Sequence, residues 1–220
     1  MERYPAYKNS GVPWLGDIPK HWNILRNKII FKERKEIVGS RHTDYKLLSL
    51  TLNGIIYRDL ENARGKFPAD FSTYQAVYPD DLVFCFFDVD ETPRTVGLSS
   101  LAGMITGAYT VLTVTLRGIN RKYLYYYYLN IDNQKGLRPI YRGLRKTVPF
   151  DSFMASRMPV PPLPEQQQIA RFLDWKTSKI SKFIRVKKKL IALLKEQKQN
   201  IINQAVCKGI NPHVRMKDSG

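Results

Sequence analysis

A proline-rich junction, followed by a long segment without glycine or proline, sets the architecture of this chain. Four of the six residues from Pro159 to Pro164 are proline, which excludes a helix there and favours a stiff, extended connector. Residues 165–208 contain no glycine and no proline, and they are rich in Lys, Leu, Ile and Gln. A helix of that length would extend about 60 Å, more than a small core requires. Gly209 and Pro212 are typical of its end.

Apolar residues recur along this predicted helix at the spacing of a coiled coil. Three pairs are each one heptad apart, and Lys187 and Lys198 interrupt the pattern. Such a stripe predicts contact with a partner helix. The stripe consists of Leu173, Ile180, Ile184, Ile191, Leu194 and Ile201.

The residues before the junction show a mixture of strand and helix patterns. Asn53-Gly54 lies between two apolar runs and predicts a β-hairpin. Aromatic and β-branched residues predict strands over 81–87 and 109–116, while helical spacing predicts helices over 21–38 and 121–129. We therefore expect an α+β fold. The predicted divisions are a globular domain over 1–160, the long helix over 161–208 and a tail over 209–220.

The charge points to a polyanionic partner. The chain has 36 Lys and Arg against 19 Asp and Glu, a formal net charge of +17 and a pI of about 9.9. Nucleic acid is the first expectation, ahead of an anionic membrane surface. The sequence lacks an apolar run of about 18 residues, it has no hydrophobic signal segment at its start, and it has two cysteines. These features favour a cytoplasmic protein.

A basic cluster over residues 135–157, just before the junction, is the candidate phosphate-binding region. Asp151 is its only acidic residue, and two glycines allow the backbone to approach a phosphate. We assign to the DNA backbone, with a solvated basic surface as the alternative, Arg138, Arg142, Arg145 and Lys146.

Residues that read bases are expected in loops between strands, where side chains reach the grooves. Asn53 has a second interpretation, because a type I′ turn also favours Asn. The tyrosine-rich segment 123–128 could stack on bases, but helical spacing favours core packing. The candidates for base readout are Asn53, Arg58, Arg64, Lys66, Thr92 and Arg94.

Catalytic motifs are not found in the sequence. It contains neither G-x-G-x-x-G nor a phosphate-binding P-loop, and its three histidines are scattered. The acidic segment from Asp80 to Glu91 leaves open a metal-dependent endonuclease, although a polar loop explains it equally simply. We expect a protein that is not an enzyme and binds no metal or cofactor. A nonspecific nucleic-acid binder and an adaptor carrying the P-x-x-P of Pro161–Pro164 are further alternatives.

Several segments together resemble the specificity subunit of type I restriction–modification systems. Tyr4–Trp22 is similar to the family's N-terminal signature. Asp88–Gly97, followed by Gly107-Ala108-Tyr109, resembles the middle of one class of its target recognition domains. Pro159–Asp174 is similar to the segment that closes such a domain and begins the family's long helix, and Ile201–Gly209 resembles the end of that helix.

The resemblance implies a noncatalytic subunit that recognises double-stranded DNA and docks onto methyltransferase subunits, which hold S-adenosylmethionine. Restriction and translocase subunits join such assemblies. Family members typically carry two recognition domains and two long helices, whereas this sequence has one of each and so resembles a half-subunit. We therefore expect a homodimer that joins two helices and reads a two-part target.

Overall fold

The computed structural model of the protein describes residues 4–12, 14–58, 70–210 and 213. Its four α-helices are α1 Asn27–Ile30, α2 Arg121–Gln134, α3 Phe150–Ala155 and α4 Leu163–Lys208. Its strands are β1 Tyr7–Asn9, β2 Asp17–Pro19, β3 Asn23–Arg26, β4 Phe31–Glu33, β5 Leu48–Thr51, β6 Gly54–Tyr57, β7 Gln75–Val77, β8 Leu82–Phe84, β9 Val96–Leu98, β10 Gly103–Ile105, β11 Thr110–Val114 and β12 Arg157–Val160.

The described chain forms two compact units, residues 1–170 and residues 171–220. The first is a mixture of short strands and helices, and the second is dominated by α4, which spans 46 residues. The expected α+β class with a long C-terminal helix is therefore confirmed. Over the described residues, no helix combines the length and the apolar content needed to cross a membrane.

A four-stranded antiparallel sheet in the order β4-β11-β8-β9 separates two cores in the first unit. Successive side chains of a strand point to opposite faces, and β8 shows this directly. Leu82 and Phe84 belong to the larger core, whereas Val83 belongs to the smaller core on the other face. Because both faces are covered, β8 reads as a continuous apolar run, as the sequence predicted.

Helix α2 closes the larger core and absorbs the tyrosine-rich segment. Asn120 caps the helix by accepting a hydrogen bond from the Tyr123 N–H at 3.0 Å. The Tyr123 hydroxyl donates to the Pro159 carbonyl at 2.9 Å, and the buried Tyr128 hydroxyl donates to Asn27 Oδ1 at 2.6 Å. Burial raises the pKa of the Tyr128 hydroxyl well above its ordinary value. Both tyrosines therefore serve the core.

The helix predicted over residues 21–38 is wrong. The segment instead contains β3, the single turn α1 and β4. Strand β3 pairs with β12 and β4 pairs with β11, so partners from distant parts of the chain satisfy its backbone. At the turn between the strands, the buried Asn27 side chain donates to the Phe153 carbonyl at 2.8 Å. Tertiary pairing has overridden the local helical spacing.

The first turn of α4 belongs to the first unit and is fixed by contacts within that unit. The Glu165 carboxylate accepts hydrogen bonds from the Tyr4 hydroxyl at 3.0 Å and the Trp22 ring N–H at 3.0 Å, and it lies 2.7 Å from His21 Nε2. Partial burial alone would raise the pKa of Glu165, but these bonds hold it below its usual value. Gln166 is buried and accepts from the Asn120 N–H.

Candidate nucleic-acid interface

A tight reversal of the chain at residues 142–147, here called the basic hairpin, presents the predicted phosphate-binding side chains. The N–H and C=O groups of Arg142 and Thr147 exchange two hydrogen bonds of 2.9 Å. Gly143 and Lys146 adopt left-handed backbone conformations with φ of 68° and 44°, which is unusual for a lysine. The reversal carries Leu144 at its tip, fully exposed at 102%.

The basic hairpin is fastened to residues 88–92, here called the acidic loop. The Asp88 N–H donates to the Arg145 carbonyl at 2.9 Å, and the Arg145 guanidinium binds both oxygens of the Asp88 carboxylate, with Nε 3.1 Å from Oδ1. Asp90 lies 2.9 Å from Lys146 Nζ and 3.3 Å from Arg138 Nε. Three of the four predicted phosphate ligands are thus ion-paired within the chain.

These pairs change the electrostatics of the acidic loop. A hydrogen bond from Arg145 lowers the pKa of Asp88, and a hydrogen bond from Lys146, with a further contribution from Arg138, lowers the pKa of Asp90. Both carboxylates are therefore ionised at neutral pH and act as counterions. Arg142 is exposed, and among the described residues it has no carboxylate partner. It is the hairpin cation most available to a phosphate.

The acidic residues considered for metal binding do not converge on one point. The buried Asp81 carboxylate binds Arg34 at 2.9 Å and accepts a hydrogen bond from Thr113, whereas Asp80 lies 3.5 Å from Arg121. Within the described residues, no group of three or more His, Cys, Asp or Glu side chains is arranged to hold a metal ion. The four aspartates of this segment, Asp80, Asp81, Asp88 and Asp90, thus have separate basic partners.

Arg94, a candidate for base readout, instead joins the region after the acidic loop to α2. Its side chain is only 16% exposed, and NH1 lies 3.1 Å from Asp132 Oδ2 and 3.1 Å from Asn133 Oδ1. The buried Asp132 carboxylate also accepts from the Thr95 N–H and lies 3.1 Å from Lys135 Nζ. Arg94 could contact a base only if its ion pair with Asp132 were broken. Thr92 lies beside it, and its carbonyl accepts from Lys135 at 3.3 Å.

The predicted hairpin at Asn53-Gly54 forms between β5 and β6, with Thr51 opposite Gly54. The type I′ interpretation of Asn53 is wrong. That turn needs left-handed residues at both central positions. The strand register makes Leu52 and Asn53 the central residues, and neither has a positive φ; Gly54, with φ of 95°, comes directly after them. The Thr51 hydroxyl instead accepts from the Asn53 N–H at 3.1 Å. The Asn53 side chain is not needed for the turn and is exposed.

Of the remaining candidates for base readout, the structure describes only Arg58 near this hairpin. The Arg58 N–H donates to the Leu47 carbonyl at 2.9 Å, which places Arg58 just after β6. Arg64 and Lys66 lie outside the described residues.

Nothing in the sequence indicated that Asp88 and Asp90 would pair with cations about 50 residues later, or that Leu144 would stand alone at a tip. The only local signal for the reversal was Gly143 beside basic residues.

Helix α4 carries its apolar stripe exposed. Leu173 is half-buried, and the other stripe residues are between 47% and 66% exposed. A second exposed apolar face, about 100° around the helix from the stripe, is formed by Phe172, Trp175, Phe183, Val186, Leu190 and Leu193. One helix therefore presents two apolar faces to solvent. Exposed apolar surface of this extent marks a site of protein contact.

Comparison with known proteins finds a family match for part of the chain and a shared fold for most of it. Residues 105–196 match the family model of the type I restriction modification DNA specificity domain. No curated protein sequence matches the chain. A chain from a structural study of complex assembly and conformational transition of the type I R-M system is similar over 87% of this chain and 47% of its own length, with 17% identity and a TM-score of 0.59.

The HsdS subunit from Thermoanaerobacter tengcongensis has 18% identity and a TM-score of 0.53, covering 93% of this chain and 48% of its own length. At these identities the similarity concerns the fold, and this chain spans about half of each solved chain. The segment that resembled the start of a long helix does run into one here, at Leu163. Part of this chain, residues 105–196, therefore matches the specificity-domain model of type I restriction–modification systems, and the chain shares the fold of solved type I specificity chains.

Proposed function

We propose that the chain is a noncatalytic, sequence-specific DNA-binding subunit that reads one half of a two-part target. The observation that carries this proposal is the order of its parts. A globular unit whose later part matches the specificity-domain model leads into a 46-residue helix with two exposed apolar faces. A nonspecific nucleic-acid binder would need the charge but not this helix.

Two hairpins of the first unit form the proposed DNA-binding surface. The basic hairpin, together with Arg138, contacts phosphates, which set the position of a protein on the duplex. The β5–β6 hairpin offers Asn53 for base readout, since Asn pairs with adenine in the major groove. Arg58 follows this hairpin, and Arg64 and Lys66 extend the same proposal beyond the described residues.

The two faces of α4 suit two different partners. The stripe pairs with a second copy of the chain in an isologous two-fold dimer, with Lys187 and Lys198 near its edge because unpaired buried charges are costly. The second face, with Phe172 and Trp175 at its start, suits helices of a methyltransferase subunit that supplies S-adenosylmethionine. Restriction and translocase subunits would join through that subunit. DNA as the substrate of such a complex favours the cytoplasm.

A selection from a pool of randomised duplexes tests this function. With a methyltransferase subunit present, we expect the chain to enrich one motif, and we expect methyl transfer to that motif. The purified chain alone should neither methylate nor cleave DNA, with or without magnesium. Recovery of random sequences would favour a nonspecific binder, and magnesium-dependent cleavage by the chain alone would favour the endonuclease.

Substitution of the hairpin cations should reduce binding to all duplexes by similar factors. Each lost phosphate contact lowers the slope of log K against log salt by about 0.9. We expect the full decrease for Arg142→Ala. Smaller decreases are expected for Arg145→Ala and Lys146→Ala, because each of those cations must exchange an aspartate for a phosphate. Fluorescence anisotropy at several salt concentrations measures the slope.

Lys28→Ala provides the control, because Lys28 is an exposed cation of α1 outside the basic hairpin. Its slope should match that of the wild type. If the slope stayed the same after all three hairpin substitutions, the phosphate assignment would be wrong.

A further inference from the structure

The tip of the basic hairpin is an apolar side chain, although three of the six hairpin residues are cations. Leu144 is 102% exposed, the most exposed large apolar side chain of the described residues. It follows Arg142 and Gly143 and precedes Arg145 and Lys146 in the chain. The side chain contributes nothing to the core, so burial in the folded chain does not explain its presence.

The geometry of the reversal does not require leucine either. The left-handed positions are taken by Gly143 and Lys146, and Leu144 has an ordinary backbone conformation. Turn positions are usually filled by Gly, Asn, Asp, Ser or Pro. A polar residue would satisfy the same turn without exposing an apolar side chain to water.

The hairpin is held so firmly at its base that the tip has a defined position. The Val148 N–H donates to the Phe86 carbonyl at 2.7 Å, and the Asp88 N–H donates to the Arg145 carbonyl. The Arg145 guanidinium also lies over the Phe87 ring, 5.7 Å from its centroid. These contacts draw Arg145 back towards the acidic loop. Leu144 therefore projects from a positioned support.

We infer that Leu144 is a wedge that inserts between neighbouring base pairs of bound double-stranded DNA. Proteins that kink DNA insert Leu and similar apolar side chains between base steps. Charge favours this occupant over an apolar protein surface, because Arg142 beside the tip has no carboxylate partner among the described residues and would attract a phosphate that flanks the opened step. This inference rests on the proposed DNA-binding function and assigns a further residue to it.

A fluorescent base analogue tests the insertion. The motif recovered by selection is prepared as a series of duplexes, each with one adenine replaced by 2-aminopurine, whose fluorescence rises when it is unstacked. Wild-type chain should raise the fluorescence at one step. Leu144→Ala should abolish that rise and weaken binding to the motif about tenfold, with an unchanged salt slope. Leu144→Phe, which retains a wedge, should keep the rise.

Ile37→Ala is the matched control, because Ile37 is an exposed apolar residue of the same unit, at 54%. It should behave as the wild type. If Leu144→Ala retained both the fluorescence rise and wild-type affinity, the wedge would be refuted while the proposed function stood. If the wild-type chain selected no motif at all, the proposed function would fail, and the wedge with it.

Discussion

An Ile184→Asp, Ile191→Asp double variant is expected to lose both the homodimer and specific DNA binding. The two residues are 47% and 53% exposed in the single chain, and in the proposed dimer they would be buried. Each buried apolar side chain stabilises the dimer by about 2 kcal/mol, and an unpaired buried carboxylate costs several kcal/mol. We expect dimerisation at least about a thousandfold weaker. Light scattering with size-exclusion chromatography measures it.

A Ser178→Asp, Gln199→Asp variant carries the same added charge away from the stripe, on an exposed side of α4. It should remain a dimer. In both variants the near-ultraviolet circular dichroism of the first unit should be that of the wild type. A dimer that survived both stripe substitutions would contradict the assignment of this face.

The proposed dimer would also constrain the DNA target. Two-fold symmetry in the protein requires two-fold symmetry in the site, so the selected motif should be an interrupted palindrome with a fixed spacer. The spacer would be set by the length of α4. A motif without an inverted repeat, selected by dimeric chain, would show that the two copies do not read DNA symmetrically.

Arg94→Ala is expected to destabilise the first unit rather than to alter which base is read. The substitution leaves the Asp132 carboxylate, 2% exposed, with Lys135 as its remaining cation. Breaking a buried pair costs about 3 kcal/mol, which corresponds to a decrease in Tm of roughly 8 °C for a unit of this size. Thermal unfolding followed by circular dichroism measures the change.

Two comparisons separate this structural role from a base contact. Adding Asp132→Asn to Arg94→Ala should recover part of the stability, because the asparagine carries no charge and still accepts from the Thr95 N–H. Arg138→Ala removes an exposed partner of Asp90 and should leave the Tm nearly unchanged. A normal Tm with a changed selected motif would instead restore Arg94 as a base reader.

Local sequence patterns were sufficient to predict an element wherever residues close together in the chain stabilise it. The absence of glycine and proline over 165–208 defined α4, and Asn53-Gly54 between apolar runs located the β5–β6 hairpin. The tyrosines of α2 were assigned to the core from their spacing alone. The helix predicted over 21–38 failed because β3 and β4 obtain their hydrogen bonds from β12 and β11, far away in the sequence.

The candidate site shows the same division between local and distant information. By itself the sequence determined the chain's positive charge, the α+β class, the long striped helix and the basic segment near the junction, because composition and periodicity are local properties. Only the tertiary structure decided that Asp88 and Asp90 pair with three of those cations, that Arg94 holds Asp132, and that Leu144 stands exposed at a supported tip. Ion pairs and exposure depend on which distant segments meet, and that is fixed by packing around the shared core.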